Sequence, residues 1–186
     1  FNRIWFMVTD TESMRHVISV LLQNEVGALT RMTGLFSTRG YNIDSLNVAP
    51  TDDSLVSRVT LVVRGSDSAI AQLNTLLAKL VDVTNIHDMT LGAHFERELA
   101  IIKLKLETDR YARVLELSKK YGAKILDNVQ NSCILQFTGK LVDIDSFIEE
   151  AGQVGKIAAI ARSGSVAVSK GDVTLSSYIK HNRLTG

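Results

Sequence analysis

One cysteine, one proline and one tryptophan occur in 186 residues. The lone Cys133 cannot close an internal disulfide, and without a CxxC pair there is no basis for a zinc ribbon or a dithiol redox site. A single proline excludes a proline-rich linker or polyproline ligand. Neither sign of charge dominates: 21 Lys and Arg face 20 Asp and Glu, which gives no general field for a phosphate backbone or an anionic lipid surface. That balance does not hide a basic half, since residues 14–92 carry six basic against seven acidic side chains and residues 93–172 twelve against eleven. The apolar stretch 4–8 is far shorter than the roughly 20 residues that span a bilayer, and it lacks a signal-peptide cleavage site. These absences argue against a disulfide scaffold, a membrane protein and a nucleic-acid binder. An unpaired thiol fits a reducing compartment, so a cytoplasmic location is expected.

The chain does contain 45% hydrophobic residues, enough to bury a core. Residues 16–22 form a β-branched and aliphatic run that reads as a buried strand. Val26, Leu29, Met32, Leu35 and Phe36 then recur at helical spacing, and Gly40 fits the left-handed position after a helix. Residues 43–49 alternate like a strand, 50–53 supply a turn, and 55–63 complete a hairpin. Asp67 suits the cap of a helix bearing Ile70, Leu73, Leu76, Leu77 and Leu80, and 81–91 forms a fourth strand. The order is βαββαβ.

The order repeats after residues 92–98, which read as a hinge. Residues 99–106 form a strand, and 109–121 a helix closed by Gly122, with Tyr111, Val114, Leu115 and Leu117 as its apolar candidates. Residues 124–129 and 133–138 form a hairpin, 143–151 a helix with Ile144, Phe147 and Ile148, and 157–168 an extended stretch broken at 163–164. The fold class is therefore α+β: two ferredoxin-like βαββαβ units, helices on one face of an antiparallel sheet. The uncovered sheet face predicts an oligomer, with a second copy as the cover. Residues 1–13 read as an extension and 173–186 as a tail.

Catalytic signatures are missing. The sequence has no GxSxG, HExxH, Walker or GxGxxG motif. His16, His87, His94 and His181 never fall four apart and read as satisfied or surface side chains, with no metal site implied. Cys133, in an apolar strand, reads as a core thiol. No catalytic residue is expected.

The segment 23–29 has more unusual chemistry. It links a strand to the start of an amphipathic helix, where unpaired N–H groups and a partial positive charge collect. Gly27 leaves the backbone open to a ligand, Ala28 keeps that approach clear, and Asn24 offers a donor and an acceptor. Together they could hold the carboxylate and ammonium of a free amino acid. They could equally be an N-cap and a turn residue. Asn42, between a helix end and a strand, could close its own turn or reach across an interface.

Read together, the segments are recognisable. The stretch 21–53, with its NEVGAL (24–29) and RGYNID (39–44) strings, resembles the small regulatory subunits of acetolactate synthase, also called acetohydroxyacid synthase. The likeness continues through 57–63, 79–83, 92–104 and 160–172, and Met14 stands where family members start. The resemblance implies that residues 14–92 are an ACT domain, an amino-acid-binding regulatory module, and that 93–172 are the family's own C-terminal ferredoxin-like domain. It implies a homodimer through the ACT domains, with valine as effector between them: Asn24, Gly27, Ala28 and Leu29 from one chain, Asn42 and Ile43 from its partner. Val26, Leu29 and Ile43 are candidate walls for the isopropyl group. The large catalytic subunit would carry thiamine diphosphate, Mg²⁺ and FAD, and this chain no cofactor. Activation of that subunit and valine feedback inhibition would be its function, within branched-chain amino-acid biosynthesis. A stand-alone amino-acid sensor is the alternative. An RNA-recognition sheet has the same topology but needs stacking aromatics, and aromatics are only 6% of the chain.

Overall fold

A computed structural model describes residues 14–107 and 110–175. They divide into two compact units, one ending at Ala93 and joined by the residues from Gly171 on, the other His94–Lys170. The expected extension 1–13, Asp109, His181 and most of the expected tail lie outside the described residues.

The first unit runs β1 (Met14–Gln23), α1 (Ala28–Thr38), β2 (Ile43–Pro50), β3 (Val56–Gly65), α2 (Asp67–Leu77) and β4 (Val83–Asp88). Its strands are ordered β2-β3-β1-β4, every pair antiparallel. The register sets Ile18 opposite Leu61 and Val20 opposite Val59, so alternate residues of the two central strands form one apolar face. Met32 and Phe36 of α1 and Ile70, Leu73 and Leu77 of α2 close over it, all buried. Burying each of these large side chains favours folding by about 1.5–3 kcal/mol. Val17, Leu21 and Val62 point the other way and are at most 2% exposed. The bare sheet face from which an oligomer was expected is therefore not found at these central positions.

Some boundaries differ from expectation. The α2 cap is Ser66, whose hydroxyl accepts the Ala69 amide at 3.3 Å; Asp67 is the first helical residue and adds favourable charge there. Leu55 belongs to the turn, where its amide donates to the Asp53 carboxylate at 2.9 Å. The fourth strand is shorter than 81–91 because Val81 and Asp82 lie in a turn, closed by the Val83 amide donating to the Leu80 carbonyl at 3.1 Å. Gly40 has φ +72° just after the α1 C-cap Arg39, as expected.

The second unit runs β5 (His94–Lys105), α3 (Tyr111–Tyr121), β6 (Lys124–Val129), β7 (Ser132–Gly139), α4 (Leu141–Val154), β8 (Lys156–Arg162) and β9 (Val166–Ser169). Its main path, β6-β7-β5-β8, repeats the topology of the first sheet, while β9 pairs the beginning of β5. Ala100, Ile102 and Leu104 meet Cys133, Leu135 and Phe137 beneath α3 and α4. Tyr121, Phe137 and Phe147 form a ring cluster with centroids 5.0–5.5 Å apart, an arrangement worth about 0.5–1.5 kcal/mol per pair beyond area burial. Cys133 is a free, fully buried thiol whose pKa is pushed up by burial, in keeping with a core role.

The expected hinge at 92–98 is largely strand. His94–Arg97 pairs with β9, and Glu98 is 4% exposed, held by Arg162 through bonds of 2.7 and 3.0 Å. A charged, alternating segment reads as a linker unless its distant partners are known.

Candidate effector site

The end of β1, the loop after it and the start of α1 form one anchored corner. The Asn24 amide donates to the Leu55 carbonyl at 2.8 Å, and its Nδ2 donates to the Ser54 carbonyl at 3.1 Å. Asn24 thus staples the loop to the β2–β3 turn and is not the helix cap. The N-cap is Gly27, with φ +84° and no side-chain capping bond. The left-handed conformation requires glycine here. The Ala28 amide donates to the Glu25 carbonyl at 3.2 Å and the Arg31 amide to the Gly27 carbonyl at 2.9 Å. Ala28 packs into the core, Leu29 is 38% exposed, and Val26 is fully exposed. Val26 therefore lies off the buried face of α1, which consists of Ala28, Met32 and Phe36.

Arg31 and Asp82 belong to this corner and were missed in the sequence. Arg31 Nε and Nη2 donate to the two Asp82 carboxylate oxygens at 2.6 and 2.7 Å. The Asp82 side chain is 3% exposed and that of Arg31 48%. The guanidinium holds the Asp82 carboxyl below its usual pKa against the opposing effect of burial, and the hydrogen bond raises that of Arg31. Arg31 also fills the space that a Gly27 side chain would need, since a Cβ there would lie 2.8 Å from its Nη1.

Asn42 and Ile43 are elsewhere in the unit. Asn42 Nδ2 donates to Asp44 Oδ1 at 3.4 Å, and Asp44 pairs with Arg64 at 2.8 Å. Ile43 starts β2, opposite Val63, and packs against the core. The 11 residues of α1 separate them from Gly27, a helix length of about 16 Å at 1.5 Å per residue. One chain thus brings together Asn24, Gly27, Ala28 and Leu29 and leaves Asn42 and Ile43 at the opposite end of α1. β2 is also an edge strand, bonded to β3 alone within its sheet.

His16 departs from the satisfied or surface role expected of it. It is buried, and neither ring nitrogen has a hydrogen-bond partner; Asp67 and Asp88 oxygens lie 3.5 Å from Nε2 and Nδ1. Among the described residues, no group of three or more His, Cys, Asp or Glu side chains could hold a metal ion. No described helix is long and apolar enough to cross a membrane.

The βαββαβ sheet with its glycine-capped α1 belongs to the ferredoxin-like class of folds that includes ACT domains. Residues 18–85 match the family described as the AHAS small subunit-like ACT domain, and residues 97–171 the family described as the small subunit of acetolactate synthase. The chain belongs to the acetolactate synthase small-subunit family. It is 41% identical over 159 residues to the acetolactate synthase isozyme 3 small subunit of Escherichia coli, covering 86% of this chain and 98% of that one. It is 36% identical to a probable acetolactate synthase small subunit of Archaeoglobus fulgidus, covering 86% and 99%. The crystal structure of the acetolactate synthase small subunit from Thermotoga maritima superposes with a TM-score of 0.79 at 30% identity, covering 86% of this chain and 99% of that one. This membership identifies a regulatory subunit of an enzyme complex, and it leaves the stand-alone sensor without support.

Proposed function

We propose that the chain activates a separate, catalytic acetolactate synthase subunit and makes it sensitive to valine, which binds between the first units of two copies. The observation that carries this reading is the division of the candidate residues between the two ends of α1. β1 rises to the Asn24–Gly27 loop, α1 returns from it, and β2 rises again from Asn42 and Ile43. Two copies pairing their β2 edges antiparallel would set the partner's Asn42 and Ile43 at the level of this chain's Gly27. An exposed edge invites such pairing.

In that arrangement the effector carboxylate meets the first amides of α1, where unpaired donors and the helix dipole favour an anion. Leu29 and Ile43 flank the isopropyl group, with Val26 free to join them from its exposed position. A pocket of this kind separates valine from leucine and isoleucine by no more than about 1–3 kcal/mol per methylene. Valine favours one arrangement of the paired units, in which the catalytic subunit is less active; a ligand binding both arrangements equally would shift nothing.

Residues 14–92 act in this scheme as the effector domain and 93–172 as the family's own C-terminal domain. The chemistry belongs to the large subunit, which makes 2-acetolactate from pyruvate and 2-aceto-2-hydroxybutyrate from pyruvate and 2-oxobutyrate. Thiamine diphosphate, Mg²⁺ and FAD reside there, none of them on this chain, and both subunits work in the cytoplasm.

Reconstitution with the cognate large subunit, with and without valine, tests the reading. Stimulated acetolactate formation that valine represses is the expected result, and the same activity with and without this chain would overturn it. Asn42→Ala tests the site, because it leaves the Gly27 backbone undisturbed. Weaker valine binding by calorimetric titration, with the fold retained by circular dichroism, is expected. Unchanged affinity would remove Asn42 from the site.

A further inference from the structure

Arg31 lies between the NEVGAL and RGYNID strings, outside both, yet it touches the candidate loop in two ways. Its amide donates to the Gly27 carbonyl at 2.9 Å, and its guanidinium covers the face of Gly27 that bears no side chain. The guanidinium is itself fixed by the two-pronged bond to Asp82, a geometry that arginine forms and lysine cannot. Asp82 is fixed in turn. Its side chain is buried, and its carbonyl receives the amide of Gln23, the residue at which the loop begins. The path from Asp82 through Arg31 to Gly27, and from Asp82 back to Gln23, therefore closes a ring around the loop. Asn24 adds its separate attachment to Ser54 and Leu55.

We propose that the Arg31–Asp82 pair is the latch that holds the Gly27 turn, and with it the first amides of α1, in the orientation that receives the effector carboxylate. Arg31 is then a positioning residue for effector binding rather than an effector ligand. This inference rests on the reading of the loop as the valine site. With the latch broken, Gly27 regains the conformational range that glycine has on both sides of φ zero. The amides must then be ordered at the moment of binding, which lowers affinity.

The test compares valine affinity of the full-length chain, by calorimetric titration, for wild type, Arg31→Gln, Arg31→Lys, Asp82→Asn and the Arg31→Gln/Asp82→Asn double variant, each also followed by thermal unfolding. Asp82→Asn retains the shape of the buried side chain and so serves if Arg31→Gln does not fold. The expected result is a loss of about tenfold or more in affinity for each glutamine or asparagine variant. The double variant should be no weaker than the worse single, as two ends of one contact require. Arg31→Lys, which keeps the charge and loses the fork, should recover only part of the affinity. Lower thermal stability with affinity within twofold of wild type in both single variants would make the pair merely structural and overturn the proposal. Multiplying losses in the double variant would overturn it too, by separating the two residues. Asn42→Ala measured alongside separates the two levels of inference: if wild type itself takes up no valine, the site reading fails. If Asn42→Ala weakens binding while the latch variants do not, only the latch fails.

Discussion

Gly27 and Gly34 lie at and inside the same helix, and the same added methyl group should move stability in opposite directions. Gly27 sits at φ +84°, with the Cβ position 2.8 Å from Arg31 Nη1. Alanine in the left-handed region costs about 1–2 kcal/mol. The Arg31 guanidinium must also turn aside, so Gly27→Ala should destabilise by at least about 1–2 kcal/mol. Gly34 lies within α1 and a Cβ there meets nothing within 4 Å. Removing the entropy penalty of a mid-helix glycine should stabilise by about 0.5–1 kcal/mol. Urea unfolding of the full chain measures both, with thermal midpoints moving about 2–4 °C per kcal/mol for a chain of this length. Repeating Gly27→Ala in an Arg31→Gln background isolates the steric part, which should disappear while the backbone part persists. A Gly27→Ala protein as stable as wild type would refute the left-handed requirement. An unchanged cost in the Arg31→Gln background would refute the guanidinium contact, and a destabilising Gly34→Ala would show that this face of α1 is packed. The same geometry makes Gly27→Asp a poor probe of effector binding, since its carboxylate would arrive beside Arg31 and compete with Asp82.

Three further measurements bear on the rest of the molecule. Phe147→Ala removes the fully buried ring that meets both Tyr121 and Phe137 and should cost about 3–5 kcal/mol in urea unfolding; a loss below 1 kcal/mol would mean that the cluster is not a packed core. Gly155→Ala would bring a Cβ to 2.8 Å from the Lys105 carbonyl oxygen and 2.9 Å from Leu106 Cδ2. Because backbone must move, it should destabilise by about 1–3 kcal/mol, and a neutral effect would show slack between α4 and β5. Asp82 gives a pH dependence of known sign. Arg31 holds its folded pKa below the ordinary aspartate value, so its contribution is fully present above the unfolded value of about 3.9 and fades as pH falls through the lower, folded one. The stability gap between wild type and Asp82→Asn should therefore be widest near neutrality and narrow below about pH 4. A gap that grew on acidification would contradict the ion pair.

Local patterns in the sequence carried most of the first unit. β1 announced itself by β-branched and aliphatic residues, and Gly40 and Gly122 marked helix ends that the structure places at φ +72° and +67°. Within α1, periodicity found Met32 and Phe36 but wrongly enrolled Val26, because helical spacing counts residues without knowing that the helix starts only at Ala28. The start of β5 was illegible for a different reason. Glu96 and Glu98 are held in the strand by Ser165 and Arg162, partners 69 and 64 residues away. Arg31 and Asp82 present the same difficulty, 51 residues apart. Of the candidate site, neighbouring residues were enough to single out Gly27, Asn24 and Asn42, but not the residue at which α1 starts. The guanidinium over Gly27 and the true roles of Asn24 depend on tertiary contacts that no local pattern encodes.

β5 carries one more consequence. Its 12 residues take part in three ladders, with β9 along His94–Arg97, with β7 from Glu98 onward and with β8 from Ala100 onward. Side chains alternate between the faces of a strand, so a shift by a single residue turns every one of them over. Such a shift would drive Lys103 and Lys105 into the place of Ile102 and Leu104, and in the same movement would strip Glu98 from Arg162. The strand is thus a common reading frame for all three of its partners. An insertion or deletion of one residue within it cannot be absorbed on one side and spared on the other.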